Sequence, residues 1–201
     1  MTCRLIIPDE AYKESFWQAR EEFLSAQDPF FDRSSLLALE KETFFADFET
    51  AYRQPILNKM KGIGLKPGYV PASHLWLVND TTFLGATNVR YRLTDALIRY
   101  AGNIGYEIRP SERGKGYGKE ILRQALDYAR TEVKLDEALV TCDARNEASY
   151  RTIIAVMKER GGRPDTPTLI EDCTDFPNAP YHPVNQNNLE LRFWIKTRKD
   201  K

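Results

Sequence analysis

The sequence predicts an α/β fold with a mixed, mostly antiparallel central sheet of six or seven strands flanked by helices. Three observations predict it. The apolar runs His74–Val78 and Phe83–Leu93 flank the polar turn Asn79-Asp80-Thr81, which reads as an antiparallel hairpin. The run Ile104–Ile108, stopped by Pro110, leads through a glycine-bearing loop into a helix striped by Ile121, Leu122, Ala125, Leu126 and Ala129. Near the end, Leu189, Leu191, Phe193 and Ile195 alternate with Glu190, Arg192, Trp194 and Lys196, the two-residue period of a strand.

The other elements follow in order. Leu5-Ile6-Ile7 before Pro8 predicts a short first strand. Ala11 to Ala26 predicts a helix, with Tyr12, Phe16, Ala19, Phe23 and Leu24 at helical spacing, ended at Asp28-Pro29 because a residue before proline resists the α region. A second helical pattern runs from Ser35 to Tyr52 through Leu36, Leu39, Phe44, Phe45 and Phe48. Residues 53–73, with Gly62, Gly64, Pro67-Gly68 and Pro71, read as irregular. Ala138–Cys142 is a nearly continuous apolar run, as in a buried strand. Glu147–Arg160 is helical, with Tyr150, Ile153, Ile154 and Met157 facing inward and Gly161-Gly162 as its stop. No repeat, low-complexity segment or linker divides the chain.

Composition narrows the function. Lys+Arg and Asp+Glu each total 29, so the net charge is zero, without the basic excess that a nucleic-acid surface needs. Three cysteines, Cys3, Cys142 and Cys173, follow no paired spacing, which suits reduced thiols in the cytoplasm. The two histidines, His74 and His182, are far apart with no cysteine at ligand spacing, so no metal site is expected. The apolar run within Met1–Pro8 is too short for a signal segment, and no stretch approaches a membrane span. A cytoplasmic protein with neither nucleic-acid nor membrane partners is the expectation.

The loop Arg113-Gly114-Lys115-Gly116-Tyr117-Gly118 carries the chemistry. Glycines turn the backbone through positive φ and let it approach a ligand closely. The N–H groups opening the next helix, with its dipole, favour a phosphate. Arg113, Lys115 and Lys119 add positive charge. A nucleotide-dependent enzyme would use such a loop for ATP or NAD, but both patterns fail. Gly114-Lys115 is followed by Gly116 where a Walker loop has Ser or Thr, and Gly116 and Gly118 are too close for a dinucleotide fingerprint.

The arrangement resembles motif A of the GNAT acetyltransferases: Arg or Gln, two residues, Gly, one residue, then Gly or Ala, filled by Arg113, Gly116 and Gly118. The strand Ala138–Cys142 leading to Asn146-Glu147-Ala148-Ser149 is similar to the family's motif B. The segment from Gly68-Tyr69-Val70-Pro71 through Leu93-Thr94-Asp95-Ala96-Leu97 looks like a bacterial subgroup described as predicted acetyltransferases. The resemblance implies one GNAT domain over residues 1–201, acetyl-CoA as cosubstrate, and no metal. It implies that the backbone of Gly114, Lys115, Gly116, Tyr117 and Gly118, with Arg113, holds the CoA pyrophosphate. It also implies that the strand ending at Ile108 splays from Ala138–Cys142 to admit the pantetheine arm, that an N–H near Ile108 stabilises the oxyanion, and that Asn146 and Ser149 face the cofactor. The implied acceptor is a primary amine on a small molecule or peptide, and dimers are common among such proteins, so a homodimer is a further expectation.

Catalytic groups follow the same logic. The amine must lose a proton, so a base is needed. Many relatives carry a Glu about five residues before the position of Ile108; here that is Asn103, and Glu107, four residues on and on the same strand face, is the candidate base. The family's usual acid, a Tyr seven residues after the motif B Asn, is replaced by Ile153, while Tyr150 reads as packing. Asn146 serves equally as a helix N-cap, Ser149 as a local backbone partner, and Glu107 as a strand carboxylate in an ion pair. Tyr106, His74, Tyr181 and His182 are further candidates for the acceptor site, and Trp194 for packing on a helix or a second subunit. Cys142 has no neighbouring His for an acyl-cysteine route, so direct attack is expected. The rival is a non-catalytic acyl-CoA-binding module, prompted by the missing Tyr and the unmatched Glu.

Overall fold

Seven strands join in one sheet in the order β1-β2-β3-β4-β5-β7-β6, in a computed structural model that describes residues 2–169 and 189–198. They are β1 (Arg4–Ile6), β2 (Ala72–Val78), β3 (Phe83–Arg90), β4 (Ile104–Ile108), β5 (Glu137–Asp143), β6 (Gly162–Leu169) and β7 (Leu189–Lys196). Every neighbouring pair is antiparallel except β4 and β5, which run parallel because a helical crossover joins them. The helices are α1 (Lys13–Ser25), α2 (Ser34–Leu37), α3 (Lys41–Ala46), α4 (Gln54–Met60), α5 (Asp95–Arg99), α6 (Tyr117–Tyr128) and α7 (Glu147–Arg160).

The expected mixed, mostly antiparallel sheet is present, and three local expectations are corrected. The helix expected over Ser35–Tyr52 is broken into α2, α3 and a wide helical turn at Glu49–Arg53. Asp47 leaves the helical region at φ −148°, and its carboxylate accepts the Thr50 N–H at 3.0 Å, starting a new turn. That turn runs on into α4, inside the segment expected to be irregular. Pro55 sits where the wide turn of Glu49–Arg53 passes into α4, and a wide turn is where a helix absorbs the missing N–H and the ring. The short α5 is capped by Thr94, whose hydroxyl accepts the Leu97 N–H at 3.3 Å. Gly161, at φ +78°, does end α7, but Gly162 opens a strand. That strand contains Pro164 and Pro167 and lies at the sheet edge, where proline costs no ladder bond on the free side.

Alternation sends each strand's side chains to two layers. On one face Val89, Ile104, Val140, Phe193 and Ile195 pack against Leu122, Leu126, Ile153 and Val156 of α6 and α7. On the other face Trp76, Val78, Phe83 and Ala86 meet an aromatic layer from α1 to the Glu49–Arg53 turn. There Phe16 stacks on Trp76 at 4.6 Å, and Phe44, Phe48 and Tyr52 lie edge-on or tilted within 5.3–5.9 Å of their neighbours. Such pairs add to the burial of large aromatic surfaces. Among the described residues, no helix is long and apolar enough to cross a membrane.

Candidate active site

The site is built where β4 and β5 part. Asn103, 3% exposed, clasps the root. Its N–H donates to the Leu139 carbonyl at 2.7 Å and its Oδ1 accepts the Leu139 N–H at 2.9 Å. Its Nδ2 donates to the Arg90 carbonyl at 3.3 Å, and its own carbonyl accepts the Arg90 N–H at 2.8 Å. The described β4–β5 pairing is a single register, Ile104 with Val140. Beyond it the Arg109 N–H turns to β3, donating to Leu84 at 2.9 Å, so by alternation the polar groups of Tyr106 and Ile108 face the widening gap.

The glycine loop sits at the end of that gap. Gly114 and Gly116 take φ +77° and +89°, left-handed conformations that favour glycine, and a Cβ at either would meet nothing within 4 Å. The cradle is therefore open to a ligand, and the first N–H groups of α6 lack intrahelical acceptors. Gly118 works differently. A Cβ there would come 3.3 Å from the Thr152 hydroxyl, so its absence lets α6 lie close to α7. Arg113 ties the loop down, donating from Nε to the Ile108 carbonyl at 3.1 Å and pairing with Asp28 at 2.8 Å. Lys115 pairs with Glu112 at 2.9 Å. Arg109 and the Ser111 N–H both bind Glu22 of α1, at 2.6 and 3.0 Å. Burial alone would raise the Glu22 carboxyl's proton affinity; Arg109 and Ser111 together hold it below the usual range.

Glu107 and Ala86 are cross-strand partners, as are Ala86 and Trp76, so Glu107 faces the aromatic layer. It is half-buried, and burial, with the Asp32 charge adding, pushes its pKa up to about 7. Beside this row lies another, His74 with Asn88 with Gly105. Gly105 leaves room next to Glu107, since a Cβ there would meet only Arg90 Nη1, at 3.9 Å. His74 Nδ1 is 3.0 Å from Asn88 Oδ1, and its Nε2 is 3.4 Å from the Tyr52 hydroxyl. Burial lowers the His74 pKa, the Asn88 contact opposes this, and Lys59 lowers it further, so the ring is neutral near pH 7. Burial raises the Tyr52 pKa, and the charge of Glu107 raises it as well.

The α7 residues divide. Asn146 caps the helix, its Oδ1 accepting the Ser149 N–H at 3.1 Å. The Ser149 hydroxyl lies 3.2 Å from the Tyr106 hydroxyl, bridging helix and strand. Burial raises the Tyr106 pKa to about 12 and the Cys142 pKa to about 12. Ile153 is 0% exposed within the α6–α7 core, while Tyr150 is 41% exposed and lies 6.1 Å from Phe193. On β7, Trp194 donates to Asp165 at 3.0 Å, a partner in the adjoining strand.

Sequence reasoning missed Tyr52, Asn88 and Glu190. Glu190 is half-buried on the same sheet face as Glu107, across the gap; burial, opposed by the Thr141 hydroxyl bond and aided by Asp143, lifts its pKa to about 7. A glutamate in a strand alternation looks solvated, and no local signal reports what covers it. Tyr181 and His182 lie outside the described residues. Among the described residues no cluster of His, Cys, Asp or Glu is placed to hold a metal.

An acetyltransferase (GNAT) domain model matches residues 41–156, more than half the chain. A search among curated sequences found no match. Solved structures share the fold. A ribosomal-protein-S5-alanine acetyltransferase from Vibrio fischeri aligns at TM-score 0.62 and 12% identity, covering 98% of this chain and 94% of that one. The microcin self-immunity acetyltransferase MccE, in complex with acetyl-CoA and AMP, aligns at 0.60 and 14%, covering 96% and 91%. A spermidine N-acetyltransferase SpeG chimera from Vibrio cholerae and hSSAT aligns at 0.58 and 14%, covering 98% and 96%. The family model and the shared helix-flanked mixed sheet together place the chain among acyltransferases of this architecture. The chain belongs to the GNAT family and is a GNAT-type N-acetyltransferase, an enzyme of acetyl transfer from acetyl-CoA.

Proposed function

We propose that this protein, as one domain over residues 1–201, transfers the acetyl group of acetyl-CoA to a primary amine by direct attack in a ternary complex. The observation that carries the reading is Glu107, a half-buried carboxyl with a pKa near 7 on the strand that borders the gap. Acetyl-CoA supplies the activated thioester. The backbone of Gly114 to Gly118 and the Arg113 side of the loop take its pyrophosphate, where open left-handed glycines precede a helix start. The Ile108 N–H, turned to the gap, donates to the developing oxyanion. Asn146 and Ser149 hold the α7 end of the gap.

Glu107 takes one proton as the amine nitrogen forms its bond to the acetyl carbon; the C–S bond breaks and the thiolate is protonated from solvent. Direct attack is supported by Cys142, whose buried thiol has a pKa raised to about 12 and is a poor nucleophile at neutral pH. The acceptor is a small-molecule or peptide amine: relatives of this fold bear the names of spermidine and ribosomal-protein acetyltransferases. The unpaired cysteine spacing fits a cytoplasmic setting.

The test is release of CoA thiol from acetyl-CoA with a panel of diamines, amino acids and N-terminal peptides. Amine-dependent release with an N-acetylated product by mass supports the reading. Tight acetyl-CoA binding with no release across the panel, and none from a cell-extract amine pool, would overturn it in favour of an acyl-CoA-binding role.

A further inference from the structure

Three polar groups on the sheet face beside Glu107 play no part in the acetyl-transfer steps above: Tyr52, His74 and Asn88. Their contacts fix the direction of each hydrogen bond. Asn88 Oδ1 is an acceptor, so at 3.0 Å it holds the His74 proton on Nδ1. The neutral ring then presents a lone pair at Nε2 to the Tyr52 hydroxyl at 3.4 Å, and the tyrosine donates there. With its proton so committed, the Tyr52 oxygen can only accept. A second observation marks this spot. The Trp76 indole Nε1–H, 0% exposed, makes no hydrogen bond, and its ring lies 5.6 Å from the Tyr52 ring. Trp76, Ala86 and Glu107 form one cross-strand row, and Ala86 and Gly105 leave space beside the Glu107 carboxyl.

We infer that Tyr52, oriented by His74 and Asn88, is a positioning residue that accepts one N–H of the incoming amine while Glu107 accepts the other. The inference rests on the acetyl-transfer reading and deepens it to a substrate class. A neutral primary amine has two N–H groups for these two acceptors and a lone pair for the thioester carbonyl. An N-methylated amine has one N–H too few. The site therefore selects primary amines over their N-methyl counterparts through Tyr52.

The phenol ring packs among Phe16, Phe44, Phe48 and Trp76, and Tyr52→Phe keeps that packing while removing the oxygen. For the best amine of the panel, Tyr52→Phe raises KM about tenfold, the size of one lost hydrogen bond to a polar ligand, and leaves kcat within about twofold. The KM for acetyl-CoA stays unchanged, and the preference for the primary over the N-methyl amine collapses.

Asn88→Asp tests the direction of the chain. The groups facing His74 are Tyr52 from the Glu49–Arg53 turn, Asn88 from β3 and Lys59 from α4, with Glu107 of β4 acting through Tyr52. A carboxylate at position 88 favours the imidazolium, whose Nε2–H then donates to Tyr52 and turns the tyrosine proton outward. The variant's amine KM therefore rises more steeply than the parent's as pH falls, because the titration of His74 is added to that of Glu107 and the amine. Adding Tyr52→Phe removes the added steepness. If no amine is turned over by the parent enzyme, the acetyl-transfer reading falls and this inference with it. If the parent turns over and Tyr52→Phe leaves KM and the N-methyl preference unchanged, or Asn88→Asp has the parent's pH profile, the inference alone falls.

Discussion

Glu107 owes its chemistry to where its strand places it: an ordinary strand glutamate titrates near 4.5, and burial beside Asp32 moves this one to about 7. As the proposed base it is protonated below that pH and cannot take the amine's proton, so kcat/KM should fall as pH drops through about 7. Glu107→Gln loses this limb and about a hundredfold or more of activity, as expected for a general base. Stability runs the other way. A carboxyl with a raised folded pKa destabilises the fold as pH rises from 4.5 through 7, so at pH 8 Glu107→Gln melts above the parent, while at pH 4 the two coincide. Equal melting temperatures at pH 8 would show that the carboxyl is not desolvated. Ile153 makes the complementary case. It stands where relatives carry the acid Tyr but is fully buried against α6, so Ile153→Tyr overpacks the core and costs about 1–3 kcal/mol without raising kcat, measured by denaturant unfolding and turnover.

At the scale of elements, the parting of β4 from β5 depends on one side chain at its root. Asn103 satisfies a Leu139 N–H and an Arg90 carbonyl that Asn103→Ala leaves buried and unpaired, costing about 3 kcal/mol. Hydrogen exchange should rise first at the Leu139 amide; protection unchanged there would rule the clasp out. The sequence marked this position as where relatives have a Glu, and the structure gives the Asn a different role. β4, α6, α7 and β7 were legible because their apolar periods match the faces they bury. α4, α5 and β6 were not. Pro55, the short helix capped at Thr94 and the Pro164/Pro167 pair look like breakers until the wide turn, the cap and the free edge that accommodate them are known.

Over the whole molecule, the N-terminal helices and the glycine loop act as one body. Glu22 and Asp28, at and beyond the end of α1, bind Arg109 and Arg113 around the loop, so the aromatic layer that buries Trp76 also steadies the cradle. Acetyl-CoA or CoA at a hundredfold excess over its dissociation constant should stabilise the fold by about 2.7 kcal/mol, roughly 5–10 °C in melting temperature. ATP and NAD should give no comparable shift. Gly116→Val should abolish the CoA shift, because its left-handed φ of +89° admits a branched side chain only with strain and the new atoms fill the open cradle. A retained shift would place the pyrophosphate elsewhere.

The sequence by itself determined the glycine loop, the strand and helix on either side of it, and the face of the strand on which Glu107 stands. These depend on local spacing: glycines at fixed offsets, a 3.6-residue stripe, a two-residue alternation. Only the tertiary structure decided that Glu107 and Glu190 share a face and titrate near 7. It alone decided that Asn103 is a clasp, and that Tyr52, His74 and Asn88, from a helical turn and two strands, form one hydrogen-bonded chain. Desolvation and hydrogen-bond direction are set by neighbours distant in sequence, and no local pattern carries them.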